Sequence, residues 1–276
     1  MLTRFLSVAV LFAVALLLLT QPPGVPVRAD DAKDAAVPKE LQTRYVTLVD
    51  PEVPLSADMA VDSSALLLAF GGMVGRIGIP PFEFFSLAGR IPVKRLFVRD
   101  LLQAWYHRGI PDHGRTLAEV AASLRRLIAP HAVERLVVAG TSAGGYAALV
   151  FGTLLGADTV VCFAPQTVLD LELLAGMGDH RWDHRLEPLA AARALDPRFA
   201  DLRRALPAAR SADTAYRIYF DEALRADRLH AERLAGIEGV RLYRFGHGSH
   251  NVARSLRERG ALARVLEGAL WPEPYD

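Results

Sequence analysis

Residues 135–149 read RLVVAGTSAGGYAAL, and they leave few folds open. The apolar run Leu136 to Ala139 has the composition of a fully buried strand. It breaks at Gly140-Thr141-Ser142-Ala143-Gly144-Gly145 and resumes as an Ala- and Leu-rich segment of helical character. A Gly-x-Ser-x-Gly turn between strand and helix holds its serine in strained backbone geometry at the strand end, the arrangement of a nucleophile elbow. Side chains two residues either side of the serine would collide with neighbouring elements, so glycine is required at Gly140 and Gly144.

The chain of 276 residues can bury one sizeable core. Part of its 51% hydrophobic content lies at the N-terminus, where Arg4 precedes an apolar run from Phe5 to Leu19 broken only by Ser7. A Pro-rich stretch then reaches Val27-Arg28-Ala29. This is the pattern of a secretory signal peptide over residues 1–29 with cleavage after Ala29, so an exported, periplasmic or secreted protein with no stable membrane span after processing is expected. Removing those residues takes Arg4 and Arg28 and changes the formal net charge from +1 to −1. The remaining arginines are scattered, which argues against a nucleic-acid partner. The lone cysteine, Cys162, lies in the apolar run VVCFA and reads as a buried small hydrophobe.

Residues 30–42 read as a flexible leader. Strands are expected at 44–49, 64–70, 94–98, 136–139, 159–164, 215–220 and 240–245, with helices over about 80–87, 116–128, 227–235 and 252–270. Strands alternating with helices predict an α/β fold with a mostly parallel central sheet covered on both faces. Residues 166–213 lack a convincing strand and suit several short helices, a lid over the ends of the sheet.

The motif order resembles the α/β-hydrolase superfamily: Gly71-Gly72 after an early strand, Gly140-x-Ser142-x-Gly144, an insertion, an acid after the next strand and a histidine before the last helix. The resemblance covers about residues 43–270. The stretches FGGM, PPFEFF, FVRDLLQAWYHRG, DRLHAERL and GSHNV also look like a group of bacterial α/β-hydrolase-like proteins. It implies Ser142 as nucleophile, with the Ala143 amide and the Gly71-Gly72-Met73 loop forming an oxyanion hole. It places the base in GHGSHN, where His250, directly before the closing helix, is preferred to His247. The acid is Asp221 or Asp227. Asp221 follows the strand IYF and is slightly favoured, while Asp227 could simply cap a helix.

Two further histidine patterns need a reading. His180 and His184 stand four apart in GDHRWDH, which would give a metal-binding face only on a helix, and no third ligand is evident. His230 falls inside an expected helix and reads as surface decoration. The segment Trp105 to Gly109 lies at the expected site end of the sheet, as pocket lining or packing. The implied function is a serine hydrolase cleaving an ester or thioester of a small-molecule or acylated substrate, with no cofactor and no metal. The alternatives are an acyltransferase using the same serine, or a binding module that kept the fold without turnover.

Overall fold

The apolar runs pair into one seven-stranded sheet in the computed structural model, which describes residues 50–74, 81–209, 213–246 and 248–272. The signal segment, the leader, the strand expected at 44–49, the Pro80 start of the short helix and His247 lie outside the described residues. The strands are β1 Leu55–Asp58, β2 Ala65–Phe70, β3 Lys94–Val98, β4 Arg135–Thr141, β5 Thr159–Phe163, β6 Ala215–Asp221 and β7 Val240–Phe245. Their spatial order is β1-β3-β2-β4-β5-β6-β7, and every pair is parallel except β1 with β3. β1 (LSAD) carries too little apolar pattern to read as a strand beforehand; pairing with Phe97 and Val98 makes it one.

All six residues of β2 and all five of β5 are buried, as expected of parallel strands covered on both faces. One face carries helices α2 (Leu117–Ile128) and α3 (Ala143–Leu155), packed on Leu66, Leu68, Phe70 and Val138. The Thr116 hydroxyl caps α2 by accepting from the Glu119 amide, and Leu117, Val120, Ala121 and Leu124 face inward at helical spacing. The other face carries α8 (Val252–Glu258) and α9 (Leu262–Leu270), separated by Gly260 at φ 67°. That left-handed glycine divides the single closing helix expected over 252–270 into two.

Only one turn of the expected helix near residue 82 forms, α1 (Phe85–Ala88). The insertion between β5 and β6 holds helices α4 (Leu171–Met177), α5 (Asp183–Ala191) and α6 (Leu202–Ala209), and α6 packs on α3. α7 (Arg225–Glu232) follows β6. Register then sets the location of chemistry. Phe70 pairs with Gly140, Thr141 with Phe163, and Asp221 with Phe245, so the loops leaving β2, β4, β5, β6 and β7 emerge along one edge.

Candidate active site

Between β2 and β4 the chain's direction of travel across the sheet reverses. From β2 it moves outward to β3, and from β4 it moves the other way to β5. The loops leaving β2 and β4 therefore diverge and open a crevice at the carboxyl ends of the strands, the usual location of ligands in open α/β sheets. Gly71 to Val74 follow β2 on one side, and Ser142 follows β4 on the other.

Ser142 has φ 55° and ψ −117°, a conformation that costs a non-glycine residue on the order of 1–3 kcal/mol. Its amide donates to Phe163 O at 2.9 Å, and its carbonyl accepts from the Tyr146 amide at 3.0 Å. A methyl group on Gly140 would stand 2.0 Å from Gly144 O, and one on Gly144 would stand 2.3 Å from Phe70 O. Both glycines are sterically obligatory, for the reason the spacing suggested: helix α3 starts in contact with the strand before it and with the β2 loop.

His250 Nε2 stands 3.1 Å from Ser142 Oγ, and His250 Nδ1 stands 2.7 Å from Asp227 Oδ2. The imidazole is 41% exposed, whereas the Asp227 carboxylate is 1% exposed. Asp227 lies in the first turn of α7, whose N-cap is Leu224, so it does not cap the helix. Asp221, slightly favoured over Asp227 in the sequence, is not brought to His250. It is buried, and its oxygens accept from the Ala223 amide at 3.0 Å and the Ser249 amide at 3.1 Å. It thus shapes the turn after β6 and fixes the loop that carries His250.

No protein-family model matches the chain, and no curated protein matches it. Solved structures do. The capsule O-acetyltransferase of Neisseria meningitidis serogroup A superposes with a TM-score of 0.55 at 11% identity, over 76% of this chain and 90% of that one. A thermophilic esterase, Est2, from Thermogutta terrifontis gives 0.53 at 20% identity, over 79% and 91%. MenH from S. aureus gives 0.51 at 12% identity, over 79% and 97%. The chain has the α/β-hydrolase fold.

Within this α/β-hydrolase fold the β2 loop lies close against the elbow. The Gly71 amide is committed to Val98 O at 2.7 Å, which removes it as an oxyanion donor, a correction to the sequence reading. Gly71 O accepts from the Tyr106 hydroxyl at 2.9 Å. A Cβ on Gly72 would lie 3.2 Å from Thr141 O and 3.9 Å from Glu83 Oε1, so Gly72, like Gly71, borders the elbow. Burial pushes the Glu83 carboxyl up to about 7, with Arg257 pulling it back. Ala143 begins α3, where an amide points out of the helix N-terminus.

The aromatic segment after β3 packs rather than lines a pocket. Trp105 and Tyr106 are fully buried, and the Trp105 indole donates to Gln166 Oε1. Asp100 organises this loop by accepting from the Leu102, Ala104 and Tyr106 amides, which lets Gln103, Trp105 and Tyr106 keep positive φ. His107 joins three regions. Its Nδ1 accepts from the Asp196 amide at 2.9 Å, so Nε2 carries the proton and donates to the Tyr146 hydroxyl, which in turn donates to Phe199 O. Desolvation lowers the His107 imidazole to about 4.

The insertion reaches the site through Trp182, which meets Trp105 edge-on at 5.8 Å, and through Arg185, which donates to Val74 O. His180 precedes α5 and pairs with Asp183 at 2.8 Å, so the two histidines of GDHRWDH share no helical face. Among the described residues no group of three or more His, Cys, Asp or Glu is placed to hold a metal ion. His230 is not surface decoration. It is buried, with Nδ1 accepting from the Thr167 amide at 3.0 Å and Nε2 3.1 Å from Asp179 Oδ2. A sequence signal for this existed, because His230 stands three residues after Asp227 and shares its helical face. Cys162 is buried, its thiol 3.3 Å from Gly145 O.

Proposed function

We propose that the chain is a serine hydrolase that cleaves an ester or thioester through an acyl-enzyme at Ser142. The observation that carries this reading is the unbroken line Ser142 Oγ–His250 Nε2–Asp227 Oδ2, ending on a strained elbow. Asp227 accepts from His250 Nδ1–H and so fixes the tautomer whose Nε2 lone pair faces the serine. His250 takes the Ser142 proton as Oγ bonds to the acyl carbon. The Ala143 and Gly72 amides stabilise the resulting oxyanion, each such donor being worth roughly 3 kcal/mol in the transition state. The C–O or C–S bond to the leaving group then breaks, and the leaving group takes the proton from His250. Water, deprotonated by the same histidine, attacks the acyl-enzyme, and Ser142 recovers its proton.

An acceptor alcohol could take the place of water at the second step, making the protein an acyltransferase. The fold likeness to the Neisseria O-acetyltransferase favours keeping this second reading; partition of the acyl group when alcohols are added decides between them. We also propose export through the N-terminal segment, tested by sequencing the mature N-terminus near residue 30. Among the described residues no helix is long and apolar enough to cross a membrane.

The experiment for the principal reading is labelling with a fluorophosphonate. Folded wild type is expected to label at Ser142 and Ser142→Ala not at all. Absence of labelling in folded wild type overturns the reading in favour of a binding module.

A further inference from the structure

The acid of the site does not end the hydrogen-bonded line. Asp227 Oδ1 accepts from Arg181 Nη1 at 3.0 Å, on the side away from His250. Arg181 belongs to the loop joining α4 to α5, inside the helical insertion. Asp179 grips its guanidinium from the opposite edge, with Nε to Oδ1 at 2.8 Å and Nη2 to Oδ2 at 2.7 Å. Gly178, in the left-handed conformation that terminates α4, turns Asp179 inward, and the Arg181 amide also donates to Asp179 Oδ1. His230 then donates to Asp179 Oδ2 from Nε2, because its Nδ1 is taken by the Thr167 amide.

We propose that Arg181 and Asp179 are positioning residues that extend the Ser142–His250–Asp227 line into the helical insertion, and that their charges set how strongly Asp227 favours the imidazolium of His250. This rests on the hydrolase reading of the site.

Charge counting gives the direction of each effect. Two nearly buried carboxylates, Asp227 and Asp179, flank one guanidinium, leaving one net negative charge. A single imidazolium, formed as His250 takes the serine proton, balances it. Removing Arg181 leaves two negative charges beside His250 and over-stabilises the imidazolium, which opposes its use as a base. Removing the Asp179 charge leaves none in excess, and the imidazolium loses its stabilisation. The other ionisable groups around the pair include His230 on α7, its Nδ1 taken by the Thr167 amide, Arg225 on the same helix, which donates to Met177 O, and Asp221 at the end of β6, which accepts from the amide next to His250. Asp221 is untouched in either variant, whereas Asp179→Asn also changes the acceptor of His230 Nε2.

The guanidinium is the group suited to this place. It is planar and offers donors on three sides, two for Asp179 and one for Asp227, which an ammonium cannot match in the same geometry. Arg181 is about one-third exposed, so the docked insertion, rather than the core, supplies the cation.

The test follows the His250 ring by NMR titration in the full chain, alongside hydrolysis of p-nitrophenyl acetate. Arg181→Gln is expected to favour the imidazolium on the order of tenfold, and Asp179→Asn to disfavour it by a similar factor. Arg181→Lys, which keeps the charge, stays within about threefold of wild type in that titration and loses chiefly kcat rather than KM. Loss of a merely structural contact would move Arg181→Gln and Asp179→Asn in the same direction. Titrations moved in the same direction, or by less than about twofold in both, overturn the proposal. The fluorophosphonate result is separate. Opposite shifts without labelling keep the coupling and remove the hydrolase reading, and labelling with an unmoved histidine does the reverse.

Discussion

Asp227 reaches His250 Nδ1 at 2.7 Å from the first turn of α7, and only one of its two oxygens is used for that contact. Asp221, six residues earlier, spends its oxygens on the backbone amides of Ala223 and Ser249. The two carboxylates are therefore separable by mutation. Asp227→Asn is expected to lower kcat on the order of 10⁴-fold, because the wrong imidazole tautomer then faces the serine. Asp221→Asn is expected to reduce kcat less than about tenfold, while lowering stability by about 1–3 kcal/mol as an amide meets an amide in a buried turn. Turnover of p-nitrophenyl acetate and urea unfolding of both variants check the pair of outcomes.

His107 gives a dependence of stability on pH. Its folded value, lowered to about 4, lies below the ordinary histidine value of about 6.5. Between those limits the unfolded chain binds a proton that the fold refuses, so this contribution is whole above about 6.5 and is lost as pH falls to about 4. The full amount is about 3 kcal/mol. Urea unfolding of wild type and His107→Gln across that range should show the wild-type stability falling more steeply with acid. Parallel curves would refute the assignment.

Glu83 gives a dependence of rate on pH. Its carboxyl, raised to about 7 by burial, is neutral below that pH and negative above it, and its Oε1 lies 3.9 Å from where a Cβ on Gly72 would stand. A negative charge there opposes an oxyanion. kcat/KM for a neutral ester is expected to fall several-fold as pH rises through about 7, and Glu83→Gln to remove that descent. A variant that keeps the descent would place its origin elsewhere.

Gly144→Ala tests the packing of the elbow. The added methyl would meet Phe70 O at 2.3 Å and the Gly71 backbone at 2.9 Å, none of them the end of a flexible side chain. Backbone must move, and a loss of roughly 2–4 kcal/mol together with loss of labelling at Ser142 is expected. Gly176→Ala, on α4 where an added methyl touches nothing, is the matched control and should lose neither stability nor labelling.

Much of the architecture was legible because apolar runs and their spacing report burial directly. β2, β4, β5 and β6 fall where Ser64–Phe70, Leu136–Ala139, Thr159–Ala164 and Ala215–Phe220 were expected, and the strained Ser142 between two obligatory glycines follows from local sterics alone. β1 was not legible, since a four-residue edge strand draws its identity from its partner. The split between α8 and α9 is marked in the sequence by Gly260, whose left-handed φ ends the first helix.

The sequence by itself determined that a serine would stand at a sharp turn between a buried strand and a helix, with a histidine and two aspartates available late in the chain. Short-range sterics and hydrophobic spacing are enough for that. Tertiary contacts alone select which aspartate meets the histidine, commit the Gly71 amide to Val98 and link Arg181 of the insertion to Asp227. These are contacts between residues tens of positions apart, selected by the direction in which α7 leaves the sheet and by the docking of the insertion. No local pattern along the chain encodes either.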